Sequence, residues 1–178
     1  MTRIQSIPRL TWTAIGVCSL LCACSKSEPA APETQPPVPA VTLEGIEKAI
    51  SSYEEIAKAL AEDRANVRAQ ALTLAGAAQA ASTTAPESLQ KPLADLSAAS
   101  QHLATLAVDD VAEARDAFGD VSQAMISLLS AAPSLRQGLH VFECPMAKGY
   151  QKWVQSDEAV SNPYMGSEMR QCGTPAHF

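Results

Sequence analysis

From Thr42 to Ala132 the apolar residues recur at steps of three and four, and this period limits the possible folds more than any other feature. The first series is Leu43, Ile46, Ile50, Tyr53, Ala57 and Leu60, and a second runs Val67, Ala71, Leu74 and Ala78. A third follows through Leu89, Leu93, Leu96, Ala99, Leu103 and Leu106. The fourth is Val111, Ala114, Phe118, Val121, Met125, Leu128 and Ala132. A helical turn of 3.6 residues lines such positions along one face, whereas a strand would alternate them. Composition agrees: aromatics are only 4% of the 178 residues, and strands favour aromatic and β-branched side chains.

Breakers separate the four series. Arg64 interrupts the stripe near residue 62, where Asp63 offers an N-cap, so the first two series are read as two helices with a corner between them. The second ends before Ser82-Thr83-Thr84-Ala85-Pro86. Pro92 is expected in the first turn of the third helix, where a missing N–H costs nothing. Asp109-Asp110, with Glu113 following, predicts a capped start for the fourth, which stops at Ala132-Pro133. The expected class is all-α: an antiparallel four-helix bundle over residues 42–136, with an ordered irregular tail, residues 137–178, packed on it, in which residues 139–144 read as a short extended segment.

Ahead of the bundle the chain reads as an address and a tether. Arg3 and Arg9 form a positive start, and an apolar stretch runs from about Leu10 to Ala23. It is shorter than the ~20 residues that span a bilayer and fits a signal peptide over residues 1–23. Leu21-Cys22-Ala23-Cys24 resembles a bacterial lipobox. Cys18 and Cys22 follow bulky residues, whereas Cys24 follows Ala23, so Cys24 is the lipidation candidate. That resemblance implies a palmitate-bearing lipoprotein facing the periplasm, with Ser25 favouring the outer membrane over the inner. Residues 24–41 then carry Pro29, Pro32, Pro36, Pro37 and Pro39, a stalk of extended character.

The tail holds the residues with the most distinctive chemistry. Cys144-Pro145-Met146 and Met169-Arg170-Gln171-Cys172 bring two thiols and two thioethers into one short region. Soft sulfur donors select Cu(I), so Cys144, Met146, Met169 and Cys172 form a candidate copper site, with Met165, His140 and His177 near in sequence. Zinc is disfavoured, since it seldom uses thioether. The alternative is a Cys144–Cys172 disulfide: once Cys24 is lipidated, these two cysteines are an even pair in an oxidising compartment. Residues alone leave both readings open. Trp153, Tyr150 and Tyr164 would have to pack on the bundle to hold the tail, and Asn162-Pro163 and Gly166 mark its turns.

The stretch from Val141 to Gly173 resembles the C-terminal signature of an uncharacterised bacterial domain family of secreted proteins and lipoproteins. The matching residues are Cys144, Pro145, Met146, Trp153, Asn162, Pro163, Tyr164, Gly166, Met169, Cys172 and Gly173, with Arg115, Phe118 and Ser122 upstream. Met165 departs from the aromatic residue expected after the tyrosine. The family's domain is also found fused to periplasmic adaptor subunits of copper and silver efflux pumps. The resemblance therefore implies a heavy-metal link, with an efflux component as partner, and no enzymatic activity.

Other functions are disfavoured by what the chain contains. Its formal charge of −6 becomes −8 without residues 1–23, and leaves nothing to track a nucleic-acid backbone. His102 and Met125 would be the axial pair of a haem bundle, but no CxxCH motif accompanies them. Glu54, Glu55, Glu62 and Asp63 read as a solvated acidic face. No GxSxG, HExxH, P-loop or dinucleotide fingerprint is present, and an enzyme is not expected.

Overall fold

The computed structural model describes residues 37–106 and 110–178. Among them the chain forms four α-helices: α1 (Ala40–Ala61), α2 (Arg68–Ser82), α3 (Glu87–Thr105) and α4 (Val111–Ala131). Each packs on the next in chain order, as short links between helices require. The α1 and α4 helices touch each other only sparsely. The C-terminal segment packs along that seam. Cys24 and the signal and lipobox positions lie outside the described residues, as does most of the expected stalk; α1 begins at Ala40, just after Pro39.

The all-α expectation needs correction. The tail carries a small antiparallel sheet, β1 (His140–Glu143), β2 (Lys152–Gln155) and β3 (Thr174–Ala176), in the order β2-β1-β3. Val141 pairs with Val154 and Phe142 with Trp153, so the strand centres hold β-branched and aromatic residues, which favour strands. The extended segment expected at residues 139–144 contains β1, whereas β2 and β3, only four and three residues long, are too short to show a period and read from sequence as irregular.

Two helix ends also differ from expectation. Asp63 does not start α2; it closes α1. Its φ is +60°, and the N–H groups of Asp63 and Arg64 donate to Leu60 O and Ala59 O at 3.1 and 2.9 Å. That is the Schellman ending usually built on glycine, and a side chain there costs about 1–2 kcal/mol. Pro92 lies inside α3 rather than in its first turn, because the helix already begins at Glu87, behind Pro86. Asp110 does cap α4: its Oδ1 accepts the N–H groups of Ala112 and Glu113 at 2.9 and 3.1 Å.

Ile46, Tyr53, Leu60, Leu74, Leu93, Leu96, Phe118, Met125 and Leu128 are fully enclosed. Ala71, Ala75, Ala78 and Ala81 line the buried face of α2, and such small side chains let neighbouring helices approach. The same apolar cluster continues through Phe142, Trp153 and Tyr164, so bundle and tail share one core. An aromatic series joins them: Tyr53 stacks on Phe118 at 5.1 Å, Phe118 meets Tyr164 at 5.9 Å, and Tyr164 meets Trp153 edge-on at 6.0 Å.

Both sheet edges are occupied or blunted. Beside β2, Tyr53 Oη accepts the Val154 N–H at 3.2 Å, Tyr164 donates to Lys152 O at 2.7 Å, and Glu54 Oε1 accepts the Ser156 N–H at 2.6 Å. At the other side, Pro175 in the middle of β3 has no N–H to offer a further strand.

Candidate functional site

The sulfur residues were the first candidates. Cys144 closes β1 and is fully buried; Cys172 precedes β3 and is half-buried. The two are joined in a disulfide with Cα atoms 5.9 Å apart. Met146 does not share their burial: it projects from the Cys144–Ala147 turn with 60% of its surface exposed. Met169 stays near Cys172, whose N–H donates to Met169 O at 2.9 Å. Met165 packs half-buried against the core. His140 sits at the opposite end of β1 from Cys144, about 13 Å away at ~3.3 Å per residue. The register Val141–Ala176 carries His177 toward that same far end. So the histidines do not join the sulfur group.

A disulfide has no thiolate, and one of the two thioethers faces solvent. In this state the four residues do not fit Cu(I), which needs converging soft, charged donors. Among the described residues, no three His, Cys, Asp or Glu side chains group as metal ligands either. His102 is exposed on α3 while Met125 is enclosed, so that pair does not present itself to a haem.

The other signature residues fix the tail to the bundle. Arg115, on α4, donates from Nη2 to Asp63 Oδ1 at 2.6 Å and to Leu60 O at 2.7 Å, and from Nε to Pro163 O at 3.1 Å. It thus ties α1, α4 and the Asn162-Pro163 turn together. Arg170 donates to Ala61 O at 3.1 Å, so two cations occupy the negative end of α1. Hydrogen bonds from Ser167 and then Arg115 lower the Asp63 carboxyl to about 2. Gly166, with φ +61°, lies directly over this pair; a Cβ there would collide with Asp63 Oδ1 and Arg115 Nη2.

Asn162 is fully buried and uses both ends of its side-chain amide. Its Oδ1 accepts the N–H groups of Tyr164 and Met165 at 2.8 and 3.2 Å, and its Nδ2 donates to Cys172 O at 2.6 Å. Gly173 leaves room for the Trp153 ring, 2.6 Å from where a Cβ would stand. Ser122 shares a 2.7 Å hydrogen bond with Tyr53 Oη. Burial drives the Tyr53 and Tyr164 phenols well above their ordinary value, so both stay neutral.

Gln155 is a member of this framework that carries no legible signal in the sequence. Its Oε1 accepts from Trp153 Nε1 at 2.8 Å and from Ser161 N at 3.1 Å. Its Nε2 donates to the carbonyls of Asp157 and Ala159, both at 2.7 Å. All four of its bonding positions are filled, and the 156–161 loop is shaped around it.

What the docked tail leaves open is a groove. Between α1 and the loop after β2 lies a cleft of about 400 Å³ flanked by Glu54, Glu55, Lys58, Glu62, Asp157 and Arg170. The residues read from sequence as a solvated acidic face therefore form one wall of a concave surface, except Asp63, which belongs to the Arg115 junction. A second cleft of about 370 Å³ continues it past Ser51 and Glu54, with Ile46, Ile50, Leu135 and Leu139 in its walls.

No protein-family model, curated protein or solved structure matches this chain.

Proposed function

We propose that the protein is a lipid-anchored interaction module of the cell envelope, tethered through Cys24 and with its tail fixed by a disulfide, that docks onto another envelope protein. The observation that carries this reading is how the signature residues of the tail are spent. Arg115, Asn162, Tyr164, Gly166 and Gly173 all hold the tail in place, and their polar atoms are paired within the chain. Among the described residues every buried side-chain nitrogen or oxygen has a partner within the chain. The product of that framework is a shaped surface. A photo-crosslinking residue placed at exposed positions around the domain, in the full chain expressed in cells, tests it. Discrete protein adducts from one face are expected; adducts from no position would remove the reading.

A second reading belongs to the reduced protein. The resemblance to domains fused to copper and silver efflux adaptors implies Cu(I), and reduction would free two thiols whose Cα atoms stand 5.9 Å apart, with Met169 three residues from Cys172. Competition of the reduced full chain with a colorimetric Cu(I) chelator decides it. Binding that Cys144→Ser and Cys172→Ser each abolish is expected on this reading; no competition at all rejects it.

A further inference from the structure

We propose that the groove along α1 takes an extended segment of a partner protein carrying an aliphatic side chain and, two residues away, a lysine or arginine. This rests on the interaction-module reading and names the partner's chemistry. The groove has two unlike halves that meet at Ser51 and Glu54. One half is apolar: Ile50, Leu135 and Leu139 pack on the core from below yet remain only half-buried, so the chain does not close over them.

The other half is charged, and its charge is uneven. Glu62 is neutralised by Arg64 at 2.6 Å, with Lys58 and Arg170 nearby. None of the ion pairs among the described residues involves Glu47, Glu54, Glu55 or Asp157. Negative charge therefore concentrates where the two halves join, and a cation is the complementary group there.

The spacing follows from α1 itself. Ile46 is enclosed, so Ile50 is the α1 side chain open to the apolar half, and Glu54 and Glu55 mark the acidic centre roughly 7 Å further on at ~1.5 Å rise per residue. An extended peptide advances ~3.3 Å per residue and turns alternate side chains to the same face, so two residues cover that distance with both side chains toward the groove. Sheet-edge addition is not the mode, because the outer groups of β2 are taken by Tyr53, Tyr164 and Glu54.

The probe is the dye-labelled peptide Ser-Leu-Leu-Lys-Arg-Ser, which repeats the spacing twice, titrated against the full chain in detergent by fluorescence anisotropy. Saturable binding is expected, weakened roughly tenfold or more when Lys-Arg becomes Glu-Glu, when Leu-Leu becomes Ser-Ser, or when salt rises from about 50 to about 500 mM. Glu54→Gln combined with Asp157→Asn should weaken it about fivefold or more, while the glutamine still accepts the Ser156 N–H. Ile50→Ser tests the apolar half. Absence of saturable binding, equal binding of the Glu-Glu peptide, or unchanged binding by these variants overturns the proposal. If discrete crosslinks then arise from another face, the module reading survives and only the groove assignment falls.

Discussion

Arg115 Nη2 stands 2.6 Å from Asp63 Oδ1, across 52 residues of sequence, and the same nitrogen donates to Leu60 O. The pair explains why an aspartate occupies a left-handed position that glycine would fill without strain: the carboxylate is needed there. Its other oxygen accepts the Ser167 N–H at 3.2 Å, so one side chain ends α1, meets α4 and anchors the tail.

The pH dependence of that junction has a definite sign. Asp63 is lowered from 3.8 to about 2 by its bonds to Ser167 and Arg115. Its contribution to stability is therefore present above about pH 4 and lost as pH falls through about 2. Asp63→Asn keeps an acceptor and tolerates the positive φ but has no charge to lose. Melting temperature followed from pH 5 to pH 2 should fall less steeply for Asp63→Asn than for the parent chain.

Gly166→Ala should be more damaging than a surface glycine substitution. The added methyl meets both members of the ion pair and sits at φ +61°. Gly138→Ala, at φ +74° with open space around it, controls for backbone strain alone. Strain in each is about 1–2 kcal/mol; urea denaturation should show a clearly larger loss at Gly166. Equal losses would mean the ion pair moves aside freely.

Two substitutions separate packing from hydrogen bonding in the shared core. Phe118 is fully buried between Tyr53 and Tyr164, and Phe118→Ala should cost about 3–5 kcal/mol. Tyr53→Phe keeps the ring but strands Ser122 Oγ and the Val154 N–H, for about 1–3 kcal/mol. Because burial raises the Tyr53 phenol, its stabilisation is full below about pH 10 and is lost as pH rises further. Part of the alkaline decline in stability should therefore vanish in Tyr53→Phe.

The Cys144–Cys172 bridge closes a separation of 28 residues. By loop entropy, its removal in a double alanine variant should cost about 3–4 kcal/mol. The intact protein should weigh two hydrogens less than its reduced form. Protease cleavage within residues 156–173 after reduction would show that the bridge, beyond Asn162 and Arg115, holds the tail.

The anchor is tested separately. Palmitate labelling of cells should mark the parent chain and not Cys24→Ala, which should accumulate as precursor or soluble protein. Label retained on the variant would remove Cys24 from this role.

Local chemistry was readable without the fold. The spacing from Leu43 to Ala132 determined four amphipathic helices, because periodicity is a property of neighbouring residues and needs no tertiary information. The Asp110 cap and the stop at Pro133 were legible for the same reason. The tertiary structure decided everything that depends on partners distant in sequence. Asp63 looked like the start of α2, and Arg115 and Ser167, 52 and 104 residues away, hold its carboxylate at the end of α1. The three short strands are held by pairing with one another and by Tyr53 from α1, which no window of the tail contains. Cys144 and Cys172 as thiolates and Met146 and Met169 as thioethers looked like one sulfur site. Burial distinguishes them, enclosing Cys144 and leaving Met146 in solvent, since solvent exposure is set by what packs against a residue rather than by its type.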